Sequence, residues 1–142
     1  MNIAFFLIPK NEVVCLNAKT TMRQALERME RHGFAAVPLV DDNGCYAGTI
    51  TEGDLLWKLK NTPGLGISGM EKVSLKDIAI HAKNRPVRID SRIVDLLMLA
   101  SEQNFVPVVD DQDVFIGIVR RREIIAYCAD LIREREKKSI KS

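Results

Sequence analysis

Val37-Pro38-Leu39-Val40-Asp41-Asp42 returns later in the chain as Val106-Pro107-Val108-Val109-Asp110-Asp111. The segment behind it returns as well, with Tyr46-Ala47-Gly48-Thr49-Ile50 echoed by Phe115-Ile116-Gly117-Ile118-Val119. Pro107 stands 69 positions after Pro38, and Gly117 stands 69 positions after Gly48. One constant offset through two separate blocks marks an internal repeat, and the repeat organises the rest of the reading.

Outward from these blocks, the copies parse alike. In the first, residues 12–16 read as a short strand centred on Val13 and Val14. Thr20 or Thr21 opens a helix, and Gln24 follows Thr21 at the spacing of a capping box. Met22, Ala25, Leu26 and Met29 recur at helical spacing, and Gly33 stops the helix. Residues 36–40 are a buried strand, Asp41-Asp42-Asn43-Gly44 a hairpin turn, residues 46–50 the returning strand, and residues 51–59 a second helix opened by Thr51. In the second copy residues 86–89 are the first strand, and Asp90 or Ser91 caps a helix with Ile93, Leu96, Leu97 and Ala100 on its apolar face. Residues 105–109, 110–113 and 114–119 repeat the strand, turn and return, and a last helix runs from about Arg121 toward Lys137.

Between the copies, residues 61–74 carry Pro63, Gly64, Gly66 and Gly69 and read as a linker that ends in a short helix near 75–80. The expected division is a first repeat at 1–60, a linker at 61–76 and a second repeat with the C-terminal helix at 77–142. Each half is thus β-α-β-β-α, an α/β (α+β) arrangement. About 60 residues is marginal for an independent core, so the halves are expected to pack sheet to sheet as a pseudo-twofold pair.

Composition narrows the function classes. With 46% hydrophobic and 28% charged residues among 142, the chain can bury a core and is not disordered. A net charge of +2 exerts no general pull toward nucleic acid or membrane. Cys15, Cys45 and Cys128 are odd in number and lack C-x-x-C spacing, which argues against a disulfide framework or zinc site and fits the reducing cytoplasm. The apolar run at residues 3–8 stops at Pro9, too short for a signal sequence or a membrane span. It reads as a strand or helix turn packed on the core or on a partner subunit.

The run Gly33-Phe34-Ala35-Ala36-Val37-Pro38-Leu39-Val40-Asp41, followed by Gly48-Thr49-Ile50-Thr51-Glu52-Gly53-Asp54-Leu55, resembles the signature of the CBS (cystathionine β-synthase) domain. Asn104-Phe105-Val106-Pro107-Val108-Val109-Asp110 and Gly117-Ile118-Val119-Arg120-Arg121-Arg122-Glu123 resemble it again, so the likeness runs from about Phe6 to Cys128. The Pro9-Lys10 step after an apolar stretch is similar to small stand-alone bacterial CBS-pair proteins. The resemblance implies a regulatory module without catalysis or cofactor. Its ligand would be an adenine nucleotide such as AMP, ADP, ATP or cyclic di-AMP, held between the repeats near the start of the last helix of each. Two pseudo-equivalent sites, a homodimer of pairs and an effector protein that reads the ligand are implied with it.

The residues suit that ligand on their own chemistry. Thr51 lies where a strand meets a helix N-terminus, a place for a phosphate, and Asp54 lies one turn further on the same side. A carboxylate accepts from both hydroxyls of a ribose. The resemblance adds an apolar base slot of Val13, Ala35, Ala36 and Val37, with Lys10 in reach of a phosphate. Thr51 as a plain N-cap, Ala35 and Ala36 as plain strand packing, and Lys10 as a solvated lysine are the simpler alternatives. The second copy departs from the pattern, with Arg120 for the threonine and Glu123 for the aspartate. Arg120, Arg121 and Arg122 concentrate cations at a helix start, which is unfavourable without an anion nearby. That site is either phosphate-rich or lost, with Phe105 and Val106 matching the slot of the first. The first copy, with its intact threonine and aspartate, is the favoured binder.

Nothing else competes. His32 sits at a helix end, and His81, before the second copy's first strand, is a candidate lining residue. Trp57 reads as core or dimer packing. The charged segment from Arg133 mixes signs, without the aromatic platform or broad basic face of a nucleic-acid binder. The contrasting reading is a dimeric interaction scaffold whose cleft holds no ligand. A stabilising shift with an adenine nucleotide would separate the two.

Overall fold

In the computed structural model, which describes residues 1–141, the chain opens with a 3-10 turn, Ile3–Phe6, and a two-residue strand β1, Ile8–Pro9. A 3-10 turn at Lys10–Glu12 follows, and the strand expected over 12–16 shrinks to one parallel bridge between Leu16 and Leu39. Val13 and Cys15 turn instead toward the second half, where they pack on Phe105, Phe115 and Ile118.

Helix α1 spans Met22–His32 and begins with the expected capping box: the Thr21 hydroxyl accepts from the Gln24 N–H at 3.2 Å, and Gln24 Oε1 accepts from the Thr21 N–H at 3.0 Å. Met22, Ala25 and Met29 are its buried face, and Gly33 ends it with φ 68°. Strands β2 (Ala36–Val40) and β3 (Tyr46–Thr51) form a hairpin that leads into α2, Glu52–Lys60. After 3-10 turns at Ile67–Lys72 and Leu75–Asp77, the second copy supplies β4 (Val87–Arg88), α3 (Ile93–Ala100), β5 (Phe105–Val109), β6 (Phe115–Arg120) and α4 (Arg121–Lys141). The cap of α3 falls on Arg92 rather than on Asp90 or Ser91. Asp90 is engaged by the Arg88 guanidinium at 2.9 and 3.0 Å, and Asp95 accepts from the Arg92 N–H in its place.

The strands make a four-stranded sheet ordered β1-β6-β5-β4 and a two-stranded sheet ordered β2-β3. Corresponding hairpins pair in the same register: Ala36 faces Thr51 as Phe105 faces Arg120, and Pro38 faces Thr49 as Pro107 faces Ile118. Each slips once, between Leu39 and Val40 and between Val108 and Val109. The hairpins meet at an antiparallel bridge between Cys45 and Val114, which are counterparts under the repeat offset. A residue bridged to its own counterpart marks the local pseudo-twofold axis. Around it Phe105, Phe115 and Ile118 pack on Ala36, Val40 and Tyr46, which joins the two sheets face to face.

On the outer side of each sheet, the helices enclose a core of their own, and flanking segments cross over to complete it. Ile3 is fully buried against Val106, Val119 and Leu96 of the second half, with Phe6 and Leu7 beside it. Met70 and Leu75 from the linker and Ile78 just after it are buried with Leu16, Met29 and Val37 of the first half. The Met22 N–H to Val73 carbonyl bond (2.7 Å) and the Leu75 N–H to Thr20 carbonyl bond (2.9 Å) tie that segment to the start of α1. Strand β1 pairs with β6 where Pro9 faces Gly117. A Cβ at Gly117 would collide with the Ile8 carbonyl oxygen and the Leu7 side chain, so the strand docks only because that position has none.

Gly117→Ala is expected to lower the unfolding free energy by about 1–3 kcal/mol through this overpacking, measured by urea denaturation. A variant as stable as wild type would show that β1 is free to move off the sheet.

Candidate functional site

A cleft of about 460 Å³ opens between the halves at the start of α4. Its apolar wall comes from Val13, Val14, Phe34, Ala35, Ala36 and Pro38 of the first half and from Phe105, Ile118 and Ile125 of the second. Its polar end is Asn104 with Arg120, Arg121 and Arg122. The face-to-face sheets bring these together, because the helix start of the second half lies against the strand edge of the first.

The three arginines are held differently. The Arg120 guanidinium lies 5.8 Å from the Phe34 ring centroid, and Phe34 stacks on His32 at 5.4 Å and 12° between planes. Arg121 donates to the Gln103 carbonyl oxygen at 3.1 Å and to Asn104 Oδ1 at 2.7 Å. Arg122 is exposed. Among the described residues none of the three is ion-paired. The N-terminal N–H groups of α4 add partial positive charge at the same place. An elongated ligand with a flat apolar part and an anionic part matches this surface: the wall shields the former, and the guanidinium forks pair with the latter.

Of the residues singled out in the sequence, Val13, Ala35, Ala36, Phe105, Arg120, Arg121 and Arg122 line this one cleft. Val37 and Val106 point the other way, into the two helix-side cores, because successive residues of a strand face opposite sides. Lys10 and Glu123 are exposed and outside the lining. Val14, Phe34, Asn104 and Ile125 line it without having been singled out. The repeat offset was the available signal for Asn104, which is the counterpart of Ala35.

Thr51, Asp54 and His81 form a separate cluster. Thr51 is the N-cap of α2 and completes a capping box with Asp54: its hydroxyl accepts from the Asp54 N–H at 3.1 Å, and Asp54 Oδ2 accepts from the Thr51 N–H at 2.9 Å. Asp54 Oδ1 accepts from the His81 backbone N–H at 2.9 Å and lies 2.8 Å from His81 Nδ1. Both oxygens are taken, and the side chain has no exposed surface. Burial pushes this carboxyl up, but the hydrogen bonds from the His81 side chain, the His81 and Thr51 backbones and the Thr51 hydroxyl outweigh it and hold the pKa below its ordinary value. The first copy, favoured in the sequence, therefore has its carboxylate bound internally, and the open cleft lies at the second copy's helix start. Among the described residues no group of side chains has the composition of a metal site, and no helix is long and apolar enough to cross a membrane.

The family model for the CBS domain matches residues 7–61 and 76–130. A CBS domain-containing protein of Dictyostelium discoideum is 28% identical over 116 residues, covering 78% of this chain and 80% of that protein. Among solved structures, CbpB in complex with c-di-AMP superposes with a TM-score of 0.83 at 20% identity, over 97% of this chain and 91% of that one. The Listeria monocytogenes CbpB complex with c-di-AMP gives a TM-score of 0.79 at 19% identity, over 92% of this chain and 97% of that one. At these identities the likeness is one of fold.

Asp54→Ala leaves three donors without their acceptor and is expected to destabilise the fold by about 3 kcal/mol near neutral pH. A depressed native pKa gives stability that is present above the unfolded value and lost as pH falls through the native one. The gap between wild type and variant, followed by urea denaturation, is thus expected to be full above pH of about 5 and to shrink below about 4.

Proposed function

The chain belongs to the CBS-domain family and carries two copies of the domain, and from that premise we propose that it is a cytoplasmic regulatory module that binds an adenine nucleotide between its repeats. The observation that carries this reading is the cleft itself, with an apolar wall from both repeats beside three arginines at the helix N-terminus of the second. An adenine ring fits against Ala35 and Ala36, whose small side chains leave room beside the backbone. The phosphates fall to Arg121 and Arg122, while Arg120 over Phe34 borders the base end. The CbpB structures bind c-di-AMP, a ligand with two adenines and two phosphates, and the same chemistry suits AMP, ADP or ATP.

The ligand touches both halves, so binding changes the free energy of their arrangement, and an effector protein that distinguishes the arrangements reads the ligand. A homodimer is part of this proposal. Leu56, Trp57 and Leu59 on α2 and Ile125, Leu131 and Ile132 on α4 leave apolar surface exposed at 37–59%. A second copy of the chain packed on these helices would cover that surface.

The test is a thermal-shift screen with AMP, ADP, ATP, cyclic di-AMP and, as a control without adenine, cyclic di-GMP, followed by calorimetry. A ligand at 100 times its Kd stabilises the native state by about 2.7 kcal/mol, a readily measured rise in melting temperature. An adenine ligand is expected to give it and cyclic di-GMP is not. No shift with any of them would leave the dimeric interaction scaffold as the better reading.

Replacing Arg122 by alanine is expected to weaken nucleotide binding about tenfold or more, since a charge-assisted hydrogen bond contributes about 1.5–3 kcal/mol. Its exposed side chain has no described ion pair to lose, so the melting temperature without ligand should stay the same. Calorimetry that finds unchanged affinity would remove the phosphates from this end of the cleft.

A further inference from the structure

The pseudo-twofold axis that makes one cleft predicts a second, around Thr51 and Asp54, yet that half is closed. The reason lies in the segment at residues 81–85. Ile80 packs over Gly48 as Pro9 pairs over Gly117, so His81 stands where Lys10 stands in the other half. His81 binds Asp54 through its backbone N–H and lies 2.8 Å from it through Nδ1, whereas Lys10 is exposed and has no described bond to Glu123.

Two further ties have no equivalent in the open half. The Tyr46 hydroxyl donates to the Asn84 carbonyl oxygen at 3.4 Å, and the counterpart of Tyr46 is Phe115, which has no hydroxyl. The buried Gln103 side chain accepts from the Arg85 N–H at 2.8 Å and donates to the Arg85 carbonyl oxygen at 3.1 Å. Its counterpart is Phe34, an apolar wall of the open cleft. Three polar anchors in one half thus stand against three positions without them in the other.

We infer that residues 81–85 are a self-docked strap, with His81 occupying the Asp54 carboxylate as an internal ligand, so that the chain presents one open nucleotide cleft and one that opens only when the strap lifts. The ligand half of this inference rests on the nucleotide reading of the open cleft. The strap itself rests on the hydrogen bonds alone.

The test pairs wild type with His81→Ala/Tyr46→Phe. The His81 side chain is 59% exposed and Tyr46→Phe copies the other half, so the variant keeps its core, which wild-type-like far-UV circular dichroism would verify. The first readout needs no nucleotide: labelling of Asp54 by a water-soluble carbodiimide with glycine ethyl ester, located by peptide mass spectrometry. At least tenfold faster labelling of Asp54 in the variant supports the strap, and equal rates overturn it. The second is calorimetry with ATP. One site per chain in wild type and two in the variant support a closed second cleft, whereas two in both, or one in both, overturn it. If neither protein binds ATP, the nucleotide reading fails and the labelling still decides the strap.

Discussion

The structure depends on the apolar seam between its two sheets. Neither half closes a core alone: the first hairpin offers Ala36, Val40 and Tyr46 on the face away from its helices, and the second offers Phe105, Phe115 and Ile118. Burying these six side chains against one another fixes the pseudo-twofold axis at the bridge of Cys45 with Val114. The cleft follows from that axis, because it places the arginine-bearing helix start of one half against the strand edge of the other.

The crossed segments reinforce the seam. Ile3, Phe6 and Leu7 come from the N-terminal side of the first repeat and pack on the core of the second. Met70, Leu75 and Ile78 come from the N-terminal side of the second repeat and pack on the first. Each core therefore includes residues from the segment that leads into the other half. Separation of the halves would expose apolar surface at the seam and at both crossings at once, so the pair is expected to unfold as one cooperative unit.

The two halves share a backbone plan and differ in chemistry at the starts of α2 and α4. Arginine replaces threonine and glutamate replaces aspartate at the start of α4, and the cleft there is open and cationic. In the other half the aspartate is intact but saturated by hydrogen bonds from its own chain. A carboxylate with both oxygens engaged and no exposed surface offers a ribose nothing until one of its partners leaves. An intact motif and an open cleft are different properties, and here they fall in different repeats.

The sequence alone determined the repeat, its offset, the hairpins, the capping box at Thr21, the helix start at Thr51 and the family likeness. All of these rest on patterns within about ten residues or on self-similarity along the chain. It also marked half of the cleft residues, among them all three arginines at the start of α4. Only the tertiary structure decided which of them meet. Whether Val37 faces the cleft or the core depends on which side of its strand the helices cover, and Val13 leaves its expected strand because the other sheet offers it apolar contact. That His81 reaches back 27 residues to Asp54 is likewise invisible to local pattern. Its physical cause is a segment from one half lying across the helix start of the other, a placement set by the packing of both halves together.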